Sequence, residues 1–292
     1  MMKKYLLLPI LMASYILLII PFSTYLRDKP FVEKLGYIPQ PEVLKFISAD
    51  QKIFVADSLV MKALFYFGSL MEKSTQKFVL PPDFFAIYKT IETAVKLDPY
   101  NQDAYYFVQA VLVWDVGRVK EANALLDHGM KYRDWDYSLP FFAGFNYAYF
   151  LKDYPNAAKY YKKAAELSGT PLYASLAGRY MYEAGQTDLA LAYLTAMEKS
   201  ARNPSIKKNF QVRIAAFTEI KRIETALARY RKDFGETSPV TMESLLDKGY
   251  LRAPPVDPYG GRFYVDEKGL VRTTSKFAFS RVKYAETQRL QE

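Results

Sequence analysis

The stretch that most constrains the fold is residues 139–171, two apolar-striped segments separated by a short polar break at 153–156. In the second segment the small and apolar side chains recur at helical spacing, which predicts an amphipathic helix. Pro155 suits a first helical turn because it has no N–H to lose, and Gly169 followed by Pro171 stops the helix. The pattern therefore predicts a hairpin of two antiparallel helices. Because such an apolar hairpin cannot bury both sides alone, similar neighbours should stack on it.

Composition supports a folded chain rich in packed rings. Half of the 292 residues are hydrophobic and 16% are aromatic, enough for one extended core or two smaller ones. The aromatic side chains suit packing between helices, and they would also suit an aromatic binding surface. The chain has no cysteine, which excludes disulfides, thiolate metal sites and cysteine nucleophiles.

The net charge of +9 is concentrated in the last third, because residues 201–292 hold 18 of the 40 Lys and Arg residues but only 11 of the 31 acidic ones. A solvated surface explains this charge. Attraction to anionic lipid or to an acidic partner is the sharper alternative. No nucleic-acid-binding motif accompanies the charge, so we expect no nucleic-acid partner.

The N-terminus predicts a membrane anchor over residues 1–26. Lys3 and Lys4 precede an uncharged apolar run at 5–22, which is just long enough to cross a bilayer as a helix. A cleaved signal peptide is the alternative, but the exit at 21–24 lacks the small-x-small pattern. We therefore expect an uncleaved single-pass anchor in a bacterial inner membrane, with the bulk of the chain in the periplasm.

Residues 35–70 predict a proline-punctuated extended piece followed by the first helix after the anchor. One face of that helix should carry the following apolar side chains: Ala56, Leu59, Val60, Ala63, Leu64 and Phe67. Gly68 lies near its expected end. We interpret this helix as the cap of one end of a helical stack.

A spacing of about one helix pair recurs through the middle of the chain. Ala94, Gly129, Ala164 and Met197 are separated by 35, 35 and 33 residues, and Ala94 is followed by Leu97-Asp98-Pro99 and then Asn101. This pattern resembles the tetratricopeptide repeat (TPR), a helix pair of roughly 34 residues that stacks into a superhelix. A small residue at the recurring position lets neighbouring helices approach closely, and Met197 departs from it.

The resemblance implies a mainly α fold, with a short TPR-like α-solenoid assigned to residues 35–200. It also implies a concave surface formed by the first helices, which in this superfamily commonly holds a peptide or helix of a protein partner. On that basis the predicted contact residues are Tyr105, Phe142, Asn146 and Tyr149. Phrases such as Val55-Ala56-Asp57 and those at 139–147 are also similar to membrane-anchored repeat proteins of delta-class proteobacteria.

The C-terminal part, residues 205–278, predicts a long helix, a short helix and a β-hairpin of two strands at 262–265 and 270–273. Its order is similar to the C-terminal half of major pseudopilins of type II secretion. That resemblance is carried by these residues: Ala226, Leu227, Tyr230, Gly235, Pro239, Leu245, Gly249, Tyr250, Leu251, Asp257, Pro258, Tyr259 and Gly260. The prepilin-type N-terminus is missing, and no carboxylate lies at 273–277, so we predict no calcium. Residues 279–292 form a basic tail.

The chain holds no motif that names a catalytic or cofactor site. His128 is the only histidine, and no nucleophile or acid is recognisable beside it. Asp134 and Asp136 flank Trp135, which we interpret as a turn with solvated charges and a packed Trp. Gly260-Gly261 predicts a tight turn, because no phosphate-loop pattern surrounds it. We therefore expect no enzyme, no metal and no cofactor.

The function that these patterns favour is a membrane-anchored periplasmic scaffold that binds a protein partner of an envelope machine, such as a type IV pilus or a secretion system. The alternatives are an assembly chaperone for an exported or pilin-like client and, as a minor one, a cell-envelope hydrolase. Arg229, Arg231 and Lys232 are predicted contact residues of the basic surface, and reversing their charge should weaken capture of a partner or of the membrane at low salt. The oligomeric state does not follow from the sequence.

Overall fold

A computed structural model of the 292-residue chain describes residues 12, 14–24, 35–74, 83–235 and 240–277. The chain divides into two compact units, Met1–Thr93 and Ala94–Glu292. Most of the first half of the predicted anchor and the whole basic tail lie outside the described residues. The described part is mainly helical, with a small two-stranded sheet near its C-terminal end.

The first unit contains helices of mixed apolar and polar character. They are α1 (Ser14–Thr24), α2 (Pro41–Ser48), a 3₁₀ turn (Ala49–Gln51), α3 (Lys52–Ser74) and the first part of α4 (Phe84–Leu97). The extended piece before α2 is confirmed, and Pro41 occupies the first turn of α2, where its missing N–H costs nothing. α3 continues six residues past Gly68, so its predicted end is wrong.

The predicted face of α3 is confirmed in part. Ala56, Val60 and Ala63 are almost fully buried, while Leu64 is exposed. Tyr66 completes the buried face, and its hydroxyl accepts a hydrogen bond from the Asp83 N–H (3.0 Å) just before α4. The role of this helix as a cap stays a prediction.

Two apolar helical stretches near the N-terminus bear on the predicted membrane anchor. Among the described residues, the stretch Pro41–Leu70 is long and apolar enough to cross a membrane by length and composition alone. α1 is apolar as well, but it is too short as described. Membrane insertion of the N-terminal segment stays a prediction.

The second unit is built from helices that pack against their neighbours in the chain. After the end of α4 they are α5 (Gln102–Phe107), a π-helical continuation (Val108–Asp115), α6 (Val119–Gly129), α7 (Ser138–Asn146), a π-helical turn (Tyr147–Leu151), α8 (Tyr154–Ser168), α9 (Pro171–Glu183), α10 (Thr187–Ser200), α11 (Pro204–Phe234) and α12 (Met242–Asp247). The two π-helical segments, in which the hydrogen bonds span five residues, extend the first helices of their pairs. The continuous superhelix that the resemblance implies stays a prediction.

The hairpin at residues 139–171 is confirmed as α7 packed on α8. The carboxylate of Asp153 accepts the Asn156 N–H (3.2 Å) and so caps α8, and Pro155 lies in its first turn. At the other end Gly169 has φ of +66°, a left-handed conformation that glycine adopts without steric cost. The hairpin is therefore bounded by the residues that predicted it.

The recurring small residues lie where helices approach most closely. Ala94, Gly129 and Ala164 are buried, whereas Met197 is half-buried. A β-carbon at Gly129 would lie 2.6 Å from the ring of Tyr105, so only glycine fits there. The predicted reason for small residues at this position is thus confirmed for Gly129.

The C-terminal segment shares its core with the helical hairpins. α11 buries one apolar face, including Phe217, Ile220 and Ile223, in a cluster that extends from the π-helical turn after α7 to the end of the described chain. Strands β1 (Phe263–Val265) and β2 (Val271–Thr273) pair antiparallel, with Phe263 opposite Thr273, which confirms the predicted β-hairpin.

Candidate partner-binding groove

An exposed aromatic row runs along α5 and its π-helical continuation. Tyr106, Ala110 and Trp114 are spaced by four residues and are all exposed, with 66% and 55% of the two aromatic residues accessible to solvent. The carbonyl oxygen of the Asn101 side chain accepts the Ala104 N–H (2.9 Å) and so caps the start of α5. The row therefore lies on a helix with a defined start.

A second aromatic row lies on α7 and faces the first. The edge of the Phe142 ring meets Tyr106, with centroids 6.2 Å apart, and Phe145 lies 5.9 Å from Trp114. Phe141 contacts Tyr173 on α9, with centroids 5.2 Å apart, which extends the aromatic surface to a third first helix. Aromatic rings thus line neighbouring first helices on one side of the unit.

Between these two rows the chain forms a groove of about 390 Å³. The groove is lined by Tyr106, Gln109, Ala110, Trp114, Phe141, Phe142 and Phe145. None of these residues is charged, and only Gln109 carries an amide. We call this set of residues the aromatic groove. It can accept apolar or aromatic side chains without desolvating a charge.

The aromatic groove continues into a cluster at the π-helical turn after α7. There Trp114 meets the edge of Phe150 at 5.0 Å, and Tyr149 stacks on Phe145 at 5.4 Å. The ammonium group of Lys152 lies 5.1 Å from the centre of the exposed Tyr149 ring. This end of the groove therefore carries a cation in cation–π contact with its aromatic cluster.

The floor of the aromatic groove is an amide network. Gln109 and Asn146 exchange two hydrogen bonds of 3.0 Å each, and the Asn146 amide also donates to the side-chain carbonyl of Asn123 (2.8 Å). All three residues are buried. Because a buried amide is costly unless it is paired, this network fixes the relative position of α5, α6 and α7.

Of the four predicted contact residues of the repeat face, the structure places two at the surface and two in the interior. Phe142 lines the groove and Tyr149 lies exposed in the adjoining cluster. Asn146 and Tyr105 are buried, so they lie beneath the surface and support it rather than present side chains to a partner. The Tyr105 hydroxyl donates to the Pro99 carbonyl (3.0 Å), and burial raises the pKa of this phenol.

The predicted basic residues lie on α11, which does not line the groove. Arg229 and Lys232 are exposed. Arg231 is half-buried, and its guanidinium donates to the Gly269 carbonyl in the turn between β1 and β2 (3.3 Å). Two of the three are therefore open to solvent, and the third ties α11 to the β-hairpin.

Sequence reasoning missed Tyr106, Gln109, Trp114, Phe141 and Phe145 as groove residues. The spacing of four between Tyr106, Ala110 and Trp114 was a usable signal, since these residues share one face of the helix. Tyr160 and Tyr161 on α8, by contrast, are buried.

The acidic pair around Trp135 is structural. Asp136 binds Arg133 (2.9 Å) and accepts the Ser138 N–H and hydroxyl at the start of α7. Desolvation raises the pKa of Asp136, but the hydrogen bonds from Ser138 and Arg133 outweigh it, so the pKa is lowered. The expected turn and the solvated charge of Asp134 are confirmed, because Asp134 is exposed. The expectation is wrong for the other two residues: Asp136 is largely buried, and Trp135 is exposed and stacks on Tyr100.

His128 lies against the ring of Tyr132, with centroids 5.1 Å apart. Within the described ranges, no group of three or more His, Asp or Glu side chains is arranged to hold a metal ion.

No protein-family model and no curated protein match this chain. Among solved structures the chain is similar to a thermophilic TPR protein of Thermus thermophilus, at 20% identity, over 68% of this chain and 87% of that chain, with a TM-score of 0.28. At this TM-score the likeness adds no argument to the architecture described above. The class that the coordinates themselves define is a protein of packed helical hairpins with an aromatic groove on its first helices.

Proposed function

We propose that this chain is a membrane-anchored scaffold whose aromatic groove binds a peptide or helix of a protein partner. The observation that supports the proposal is the convergence of the exposed rings of Tyr106 and Trp114 and the half-buried rings of α7 on a groove without a lining charge. Solvent-exposed aromatic clusters of this kind are costly in water unless a partner covers them. Binding hot spots are enriched in such rings, Trp and Tyr above all.

The groove favours an amphipathic helix or an apolar peptide as the bound segment. Its walls offer aromatic faces and edges, which pack against aliphatic and aromatic side chains. Gln109 is held by Asn146 and does not impose a charge on the ligand. Preorganised rings on helices reduce the entropy lost on binding, which favours this face over a loop surface.

The proposed location is the periplasmic face of a bacterial inner membrane. Its support is the apolar N-terminal run with Lys3 and Lys4 before it. A partner within an envelope machine, such as a type IV pilus or a secretion system, is part of the same proposal. The proposed role is binding without catalysis.

Trp114 gives a direct test, because the chain holds only two tryptophans and Trp135 is not a lining residue of the groove. In a Trp135→Phe variant, Trp114 fluorescence should shift to the blue when a synthetic amphipathic helix with one apolar face is added. A scrambled peptide of the same composition is the control. An unchanged Trp114 spectrum at saturating peptide would contradict groove binding.

The partner itself can be trapped in native membranes. A photo-crosslinking amino acid at Ala110 in the groove should give a discrete crosslinked protein, identified by mass spectrometry. The matched control is Leu189 on α10, an exposed apolar residue that does not line the groove. If both positions gave the same products, the groove would not be the docking site.

A further inference from the structure

α3 is apolar on two opposite faces. Ala56, Val60 and Ala63 form its buried face, and Phe54 and Phe65 project from the other side with 69% and 64% of each residue exposed. Large apolar side chains exposed opposite the buried face of a helix indicate contact with another protein or with lipid. Within the part of the chain that the structure describes, nothing covers the face of Phe54 and Phe65.

α2, which packs against α3, also carries exposed apolar side chains. Phe46 is 88% exposed, and Val43 and Ile47 are exposed as well. Together the exposed apolar residues are Val43, Phe46, Ile47, Ile53, Phe54, Met61, Leu64 and Phe65. We call this set the α2–α3 apolar face. Exposed hydrophobic residues that are scattered singly are normal on a protein surface, but a set of large apolar side chains on two successive helices is not.

The position of this face in the chain points to lipid as its cover. Residues 25–34 separate the end of α1 from Leu35. Even fully extended, this connection spans at most about 40 Å. If α1 belongs to the membrane anchor, as the proposed function assumes, α2 and α3 are held close to the bilayer surface.

The charges of α3 favour a helix that lies in the interface over one that spans the bilayer. Asp57 and Lys62 lie near the middle of the span-length stretch Pro41–Leu70. Placing such residues at the bilayer centre costs about 3 kcal/mol each. A helix lying in the plane of the interface keeps them at headgroup level, where a lysine can reach water.

We propose that the α2–α3 apolar face lies in the outer interface of the same membrane that holds α1, as a second contact with lipid. This contact would fix the orientation of the first unit on the bilayer. The inference rests on the anchor of the proposed function, but not on the aromatic groove.

The absence of cysteine makes a site-specific test simple, because each introduced cysteine is unique. Phe54→Cys and Phe65→Cys in the full chain are labelled with a fluorophore and reconstituted in phosphatidylethanolamine and phosphatidylglycerol vesicles. Some of the lipids carry a nitroxide near the glycerol end of an acyl chain. Leu189→Cys is the matched control, since Leu189 is 50% exposed and lies in the second unit.

The nitroxide lipid should quench the labels at Phe54 and Phe65 at least about twofold more than the label at Leu189, because an interfacial helix buries its apolar face at this depth. Equal quenching at all three positions, in chains that remain on the vesicles after carbonate extraction, would overturn the inference. Labels shielded from aqueous iodide but not quenched by lipid would also overturn it, since a protein or a second copy would then cover the face.

Two further outcomes separate this inference from the proposed function. A chain that does not stay on the vesicles refutes both the anchor and the lipid contact. Lipid quenching at Phe54 and Phe65 without a Trp114 response to peptide would refute the partner role and support the lipid contact.

Discussion

Gln109 and Asn146 pair their side-chain amides reciprocally, with two hydrogen bonds of 3.0 Å between residues 37 positions apart in the chain. The pair lies directly under the aromatic groove, since Gln109 is one of the lining residues. It connects a buried polar network to the surface that we propose binds a partner.

Asn146→Ala should lower the free energy of unfolding by about 2 to 3 kcal/mol, because it leaves the buried Gln109 amide without its partner. Urea unfolding followed by circular dichroism measures the loss. In a double-mutant cycle, Gln109→Ala should cost clearly less in the Asn146→Ala background than alone. Additive losses would show that the two amides are not coupled.

Gly129→Ala should destabilise the protein by about 1 to 3 kcal/mol, because the new methyl group overpacks the core. It would lie 2.6 Å from the buried ring of Tyr105. Gly68→Ala is the matched control, since a β-carbon at this helical glycine meets nothing within 4 Å. That variant should be neutral or gain up to about 1 kcal/mol from helix propensity. Thermal unfolding of both variants compares them, and an equal effect would contradict the packing argument.

Asp136→Asn should lower stability at neutral pH by about 1 to 2 kcal/mol, because it removes the ion pair with Arg133 and weakens the charge-assisted hydrogen bonds from Ser138. The pKa of Asp136 is lowered in the folded state, so its contribution is present above the ordinary Asp pKa and is lost as the pH falls through the folded value. The difference between the variant and the parent should therefore shrink in acid.

Urea unfolding at a series of pH values measures this convergence. Asp103→Asn, at an exposed position in the first turn of α5, serves as the control. A deficit of Asp136→Asn that stays constant down to strongly acidic pH would show that ionisation of Asp136 does not contribute.

Arg272→Met should loosen the β-hairpin from α9. The Arg272 guanidinium binds Glu183 on α9 and Asp266 in the hairpin turn (3.1 Å); desolvation lowers the pKa of Arg272, but the two carboxylates outweigh it and raise the pKa. We expect a loss of about 1 to 3 kcal/mol, typical of charge-assisted hydrogen bonds. Faster cleavage of the C-terminal segment in limited proteolysis should accompany it. Arg262→Met, an exposed position just before β1, should leave both measurements unchanged.

Arg229→Glu combined with Lys232→Glu should weaken non-covalent capture of the partner that the crosslinking identifies. The effect should appear at low salt and be small at high salt, because salt screens exposed charges. Stability should stay within about 0.5 kcal/mol, as is usual for surface positions. Arg231→Glu should also lower stability, since Arg231 holds the Gly269 carbonyl. Unchanged capture at low salt would mean that the basic surface serves solubility.

Much of the fold follows from short-range rules in the sequence. Asp153, Pro155 and Gly169 bound α8 through a cap, a proline in the first turn and a left-handed glycine, and each of these preferences acts within a few residues. The two strands of the β-hairpin at 263–273 are likewise joined by a local turn. Such elements can be predicted because the residues that define them are neighbours in the chain.

The groove could be predicted only in part. The repeat resemblance placed Phe142 and Tyr149 on the first-helix side, and in the structure Phe142 lines the groove and Tyr149 is exposed beside it. The π-helical segments after α5 and α7 could not be foreseen from a 3.6-residue period, because each adds a residue per turn and rotates the side chains beyond it around the helix axis. Trp114 lies in the first of these segments and contacts Phe145 and Tyr149, which belong to a distant part of the chain.

The helical hairpin at residues 139–171 was thus determined by the sequence itself, through apolar periodicity and local helix ends. Only the tertiary structure decided which side chains of that hairpin are buried. The sequence neighbours of Asn146 are the same whether its side chain faces a partner or the core. It is buried because its amide bonds to Gln109 and Asn123, which lie in distant parts of the chain. Because a polar side chain is buried only where partners satisfy it, its position depends on packing between helices and not on local pattern.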